Sequence, residues 1–267
     1  YMDGVLNHSG WQWLFVVQGL PASVLGVIAY FYLKDKPEDA GWLSASEKAR
    51  LREHLDSDVQ SVASASHGSL LGLLRDPKIY TLSFVYCLLL GATYTMIFWT
   101  PTLIRGWGVA DVLMVGLLAA IAPMFGIVGM VLIGRSSDKH LERRKHFFFC
   151  AVLSALGLFV TIVTQGNLVG SIAGLCLMSI GQSAITPIFF TGISEYLPKK
   201  TAAGGIALIS SLGNLGPFVM PSITTWINTA TGTPVNSMYL VIALYLAAGG
   251  ILLYVLRPAA STRLAMA

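Results

Sequence analysis

The chain has 267 residues, of which 55% are hydrophobic and only 11% charged, with a formal net charge of +4. An average soluble domain is roughly 45–50% apolar and about 25% charged, so these few charges cannot clothe a water-soluble globule of this length, and lipid is the fitting solvent. The mild positive balance excludes nothing until its residues are placed along the chain, and once placed it gives no reason to expect a nucleic-acid partner.

Residue 1 is Tyr, and no basic segment precedes a short apolar one, so the opening stretch does not read as a signal peptide. The expectation is a chain that begins inside a longer protein. Seven apolar runs then follow: Trp13–Leu33, Tyr80–Ile104, Val112–Ile133, Phe147–Thr164, Leu168–Ile193, Ile206–Ile227 and Met238–Leu256. Each has about the length that crosses a ~30 Å hydrocarbon core at a rise of 1.5 Å per residue. None alternates with the two-residue period of a membrane β-barrel strand, so helices must satisfy the backbone.

Of the seventeen Lys and Arg, all but Arg105 fall on one side if the seven runs alternate across a membrane. They cluster between the first two runs, after the third (Arg135, Lys139, Arg143, Arg144, Lys145), after the fifth (Lys199, Lys200) and after the seventh (Arg257, Arg263). The positive-inside rule makes that side cytoplasmic, with the N-terminus outside and the C-terminus inside.

The longest connection, from Lys34 to Ile79, contains Ser44-Ala45-Ser46-Glu47, the pattern of a capping box. It predicts a short amphipathic surface helix through Leu55, followed by a flexible Ser/Ala-rich linker from Val59 to Ser69. The expected organisation is one helix at 1–33, a cytoplasmic loop at 34–78, a six-helix bundle at 79–257 and a cytoplasmic tail at 258–267. The cysteines Cys87, Cys150 and Cys176 lie inside apolar runs without CxxC spacing and read as buried hydrophobes. No histidine pair, phosphate loop, nucleophile elbow or carboxylate pair points to a metal, a cofactor or an enzyme.

The run Gly134-Arg135-Ser136-Ser137-Asp138-Lys139-His140-Leu141-Glu142-Arg143-Arg144-Lys145 is read as a tight cytoplasmic turn after the third span. Gly134 suits a turn or a close helix contact. Asp138 among cations can latch neighbouring helix ends through charge-assisted bonds, and a two-state protein can make and break such a latch. The run resembles the motif that follows the second helix of each half of major facilitator transporters: Gly, Asp four residues on, a basic residue, Gly, then more basic residues. It is most similar to the version in the anion:cation symporter family, where Glu precedes paired arginines, as in Glu142-Arg143-Arg144. Leu141 stands where that family usually has Gly. Gly10-Trp11-Gln12-Trp13 with Gln18-Gly19-Leu20-Pro21, Asp35-Lys36-Pro37 and Phe98-Trp99-Thr100-Pro101 are similar to other segments of the same family, as is Gly204-Gly205 with Ser211-Leu212-Gly213-Asn214-Leu215-Gly216.

The resemblance implies an all-α, incomplete major facilitator fold: the last helix of an N-terminal half, then the six-helix C-terminal half. It implies a multi-pass inner-membrane protein that carries a small organic anion with a coupling proton by alternating access, together with the missing N-terminal half. A carrier of another substrate class is the alternative, and a seven-helix receptor a more distant one. No Asp, Glu, Lys or Arg lies deep in any run, Glu195 coming closest, so the charge-coupling residues are expected in that other half. Polar lining is the contribution expected here: Ser210 and Asn214 on one face with Pro217 and Pro221, Gln182 and Thr186 beside Pro187, and Tyr94 near mid-span. Trp99 and Trp107 read as interface residues.

Overall fold

The computed structural model describes residues 4–34, 36–64, 70–197 and 201–256. Lys199, Lys200, Arg257, Arg263, the expected tail and the second half of the expected linker lie outside them. The chain divides into two compact units, Tyr1–Ser66 and His67–Ala267.

The first unit holds α1 (Gly10–Tyr32) and α2 (Ala45–Ser64). At the start of α1, Gln12 Oε1 accepts from the Ser9 backbone N–H at 2.9 Å. The α2 start is built as expected, with Glu47 Oε2 accepting from the Ser44 N–H at 2.9 Å and Ser44 Oγ from the Glu47 N–H at 3.4 Å. The Ser44 backbone bond, then its hydroxyl, hold the Glu47 carboxyl below its ordinary pKa. Instead of giving way to a linker at Val59, α2 continues to Ser64. Nothing from Val59 to Ser64 is Gly or Pro, and Ala, Val, Gln and Ser do not break a helix once it is nucleated.

The second unit opens with a short α3 (Leu70–Arg75) and continues with α4 (Pro77–Gly106), α5 (Val112–His140), α6 (Arg143–Val163), α7 (Leu168–Tyr196), α8 (Ala202–Gly213), α9 (Leu215–Thr231) and α10 (Val235–Val255). Pro77 sits in the first turn of α4, where a missing N–H costs nothing, and Asp76 caps it by accepting from the Lys78 N–H at 2.9 Å. Asp111 and Asn167 cap α5 and α7 in the same way. Among the described residues, seven helical segments are long and apolar enough to cross a membrane, α8 and α9 together forming one.

Two spans differ from expectation. The third does not stop at Ile133: α5 runs on through Gly134–Lys139 to His140, because charged residues end a membrane crossing but not a helix. The tight turn is only Leu141 and Glu142. Leu141 takes the left-handed conformation (φ 52°) as the C-cap of α5, while a Cβ on Gly134 would meet nothing within 4 Å. Gly134 therefore makes neither the turn nor a close contact, and the residue standing where the resembled family has Gly is the one with positive φ. The sixth span is broken at Asn214, since Pro217 can donate no bond to the Gly213 carbonyl and its ring crowds that turn.

The bundle is ordered by packing. Within it α7 lies against both α5 and α6, α10 against α6 and α4, and α4 against α8 and α9. Small residues set the α6–α7 approach: a Cβ on Gly181 would collide with the Cys150 carbonyl oxygen, and one on Gly157 with the Met178 backbone nitrogen. Ser154 and Thr161 lie in the same seam and are fully buried.

Candidate functional site

Arg143 opens α6 where the C-terminal ends of α5 and α7 meet it. Its Nη1 donates to Asp138 Oδ1 at 2.6 Å and to Ser137 Oγ at 3.1 Å, and its Nε donates to Glu195 Oε1 at 3.0 Å. Only 12% of the Arg143 side chain is exposed, against 71% of Asp138 and 50% of Glu195. One planar guanidinium thus ties three helix ends, using donors whose fixed fork suits two carboxylates at once. The carbonyl ends of α5 and α7 also favour a cation at this point.

Of the five residues expected at this end, the fold joins Asp138 to Arg143 and leaves Lys139 and Arg144 without an ion pair among the described residues. Lys145 instead pairs with Glu142 at 3.1 Å. Glu195 lies 52 residues from its partner, and its position at the end of a span was the only sequence signal it gave.

The expected lining residues fall in separate places. Ser210 and Asn214 are joined, Asn214 Nδ2 donating back to the Ser210 carbonyl at 2.7 Å. The same carbonyl accepts from the Asn214 backbone N–H at 3.1 Å, so the amide adds a second bond to the last turn of α8 where the helix breaks, a structural use of the side chain. Thr186 is half-buried beside Pro187, and Tyr94, exposed, has its ring 6.2 Å from Phe98. Gln182 borders a cavity of about 230 Å³ between α4, α5 and α7, with Thr100 and Ser179. Pro101 and Pro123 border it too, as do Ile97 and Ala119, the residues four positions before them. A helix proline leaves the carbonyl four residues earlier without its bond, so freed carbonyls belong to the helices around Gln182. These two prolines were a readable signal that the sequence reading did not use.

At the far end of the bundle a larger cavity, about 920 Å³, is bounded by the end of α4 and the α6–α7 and α9–α10 turns, with Trp99, Trp107, Gln165 and Asn228 in its wall. The Asn228 amide is buried with neither polar atom hydrogen-bonded among the described residues. Tyr245, fully buried on α10, lies 3.4 Å from the Thr93 hydroxyl. Neither Asn228 nor Tyr245 was picked out by sequence, Asn228 because the sixth span was ended one residue before it.

Among the described residues no group of His, Cys, Asp and Glu could hold a metal ion.

Comparison with known proteins agrees with the helical architecture. The chain is 38% identical over 244 residues to an Agrobacterium vitis protein bearing the provisional name of tartrate transporter, an alignment covering 91% of this chain and 55% of that one. It is 32% identical to a quinolone resistance transporter of Acinetobacter baumannii, over 89% of this chain and 55% of that protein. It is 31% identical to an inner membrane transport protein of Escherichia coli, over 96% of this chain and 58% of that protein. The chain spans about half the length of the curated relatives it matches. The sequence profile described as Major Facilitator Superfamily matches residues 3–142 and 110–265. With seven apolar helices among its described residues and a profile match along nearly its whole length, this multi-pass membrane protein belongs to the Major Facilitator Superfamily.

Proposed function

We propose that the chain supplies helices six to twelve of a secondary active transporter in the inner membrane, with its C-terminus cytoplasmic, moving a small organic anion with a proton. The observation that carries the transport reading is the Arg143 junction. Three helix ends held by one guanidinium and two exposed carboxylates form a contact that a rocking bundle can break and remake at modest cost. The substrate class rests on the relative named for tartrate. Gln182, with Ser179, offers an uncharged polar surface where carboxylate oxygens can accept hydrogen bonds, the Thr100 hydroxyl being given to the Met96 carbonyl at 2.6 Å. Asn214, apart from the Gln182 cavity, acts as the flexing point of the sixth span.

No Asp, Glu, Lys or Arg lies deep in the described spans, which supports a reading in which the remainder of the transporter carries the proton coupling. The test is uptake by the protein at its native length in proteoliposomes, with labelled tartrate and other carboxylates, with and without an inward proton gradient. Gradient-driven uptake that falls about tenfold in Gln182→Ala, the cost of one to two lost hydrogen bonds, is the expected result. No gradient-driven carboxylate uptake by correctly inserted protein refutes the assignment. A second reading, movement of another substrate class, is favoured by the relative named for quinolone resistance. It is checked in the same vesicles by following a fluorescent quinolone.

A further inference from the structure

The basic end of the bundle carries a cleft that the transport reading leaves without a role. It lies between α5 and α6, encloses about 430 Å³ and is lined by Leu132, Ile133, Ser136, Lys145, His146 and Phe149. Its lining is tiered by helical periodicity. On α5, Ser136 sits one turn closer to the helix end than Leu132. On α6, which runs the other way, Lys145 sits one turn closer to that end than Phe149. Residues four apart share a helix face, so each helix sets a polar group at the rim and an apolar one about 6 Å deeper. Leu132 and Phe149 are 61% and 53% exposed, so the apolar tier lies open on the surface of this unit.

The polar rim has donors to spare. His146 Nδ1 lies 2.6 Å from the Glu142 carbonyl, which can only accept, so Nδ1 carries the proton. Nε2 then takes the Ser136 hydroxyl at 3.1 Å. The Lys145 ammonium spends one donor on Glu142 at 3.1 Å and keeps two, its side chain 65% exposed. Lys139 and Arg144, with no ion pair among the described residues, stand within the same helix ends. Asp138 and Glu195 are engaged by Arg143, so Glu142 is the carboxylate that opposes an anion here.

We propose that this cleft holds an anionic phospholipid, its phosphate at Lys145 and its first acyl carbons along Leu132 and Phe149. A free phosphate would satisfy the rim but has no use for the apolar lower tier, whereas a lipid fills both. The inference is independent of which solute the protein carries.

The experiment is lipid retention by the purified chain in detergent, read by native mass spectrometry during titration with phosphatidylglycerol or phosphatidylcholine. Phosphatidylglycerol is retained preferentially. Lys145→Gln weakens it about fivefold, the value of one cation at a lipid surface, and Glu142→Gln strengthens it by a similar factor, a gain that a merely structural role would not give. Phe149→Ala weakens it without altering the response to inorganic phosphate. Equal retention of the two lipids overturns the proposal, as does weakening by Glu142→Gln. Displacement of phosphatidylglycerol by millimolar inorganic phosphate assigns the cleft to phosphate alone and also overturns it. Should Lys145→Gln fail to fold, the sign of the Glu142→Gln effect still decides.

Discussion

The α6–α7 pair and the α8–α9 span use the same ingredients to opposite ends. Both are rich in Gly, Ser and Thr. Between α6 and α7 these residues are buried and cross-bonded: Ser154 Oγ donates to its own helix at the Cys150 carbonyl (2.9 Å) and reaches the Met178 carbonyl of α7 (3.4 Å), and Thr161 Oγ1 does the same with Gly157 (3.0 Å) and Ser171 (3.4 Å). Along α8–α9 the small residues flank a break, Pro217 and Pro221 lie about one turn apart, and few residues are buried. Close approach of backbones makes a helix pair rigid where the ladder is intact, as along the α7 seam from Ser171 to Gly181, ahead of Pro187, and compliant where prolines have opened it.

Four measurements would break or sharpen this contrast. The largest effect is expected from Gly181→Val, whose Cβ meets the Cys150 carbonyl oxygen. Backbone cannot yield there, so a loss of about 3 kcal/mol follows. Gly250→Ala, with nothing within 4 Å of its Cβ, gains about 0.5 kcal/mol instead. Thermal unfolding in detergent compares the two, and similar losses would remove the idea of a locked seam.

Next comes Pro217→Ala, which restores a donor to the Gly213 carbonyl. Amide exchange across 213–217 slows by about fivefold, the worth of one recovered hydrogen bond near 1 kcal/mol. Unchanged exchange would mean that Asn214, not Pro217, sets the break. Smaller still, Leu141→Gly relieves the left-handed strain at the α5–α6 turn and, after the added chain entropy of Gly, stabilises by about 0.5 kcal/mol. A loss on melting would show the Leu141 side chain to be in use.

The smallest effect is a control outside both regions. Glu47 has a folded pKa below its ordinary value, so its support of α2 is fully present above the ordinary carboxylate pKa of about 4.3 and is lost as pH falls through the lowered one. Amide protection at the start of α2 should fall below about pH 4; Ser44→Ala, which keeps the backbone bond to Glu47, should weaken that dependence, and Glu47→Gln should abolish it, while both leave α6–α7 unchanged.

Much of the architecture was legible because apolar length and charge placement are one-dimensional signals. The seven crossings and the capping box at Ser44–Glu47 could be counted from the chain. The break at Asn214 could not, since hydropathy runs unbroken through it, although Gly213, Asn214 and Pro217 were all in view. The residues 134–140 were mistaken for turn because polarity marks the membrane boundary rather than the end of a helix. At the site, Asp138 and Arg143 were named from their pattern, but Glu195 joins them through tertiary packing of α7, which no local spacing reveals. The cavity at Gln182 was half legible, as Gln182 was named while Pro101 and Pro123 were passed over.

The overrun of α5 has a mechanical consequence. With 29 residues it is roughly 43 Å long, well beyond a ~30 Å hydrocarbon core. A helix that outlasts its support is a lever, and Pro123 close to its midpoint gives this one a place to pivot. Tilting it by about 10° around its midpoint swings either tip by ~4 Å, farther than the 2.6 Å that separates Asp138 from Arg143. A slight rocking within the bilayer is thereby magnified into an all-or-nothing event at the tip, so the ion pair can report the tilt of the whole helix to α6 and α7.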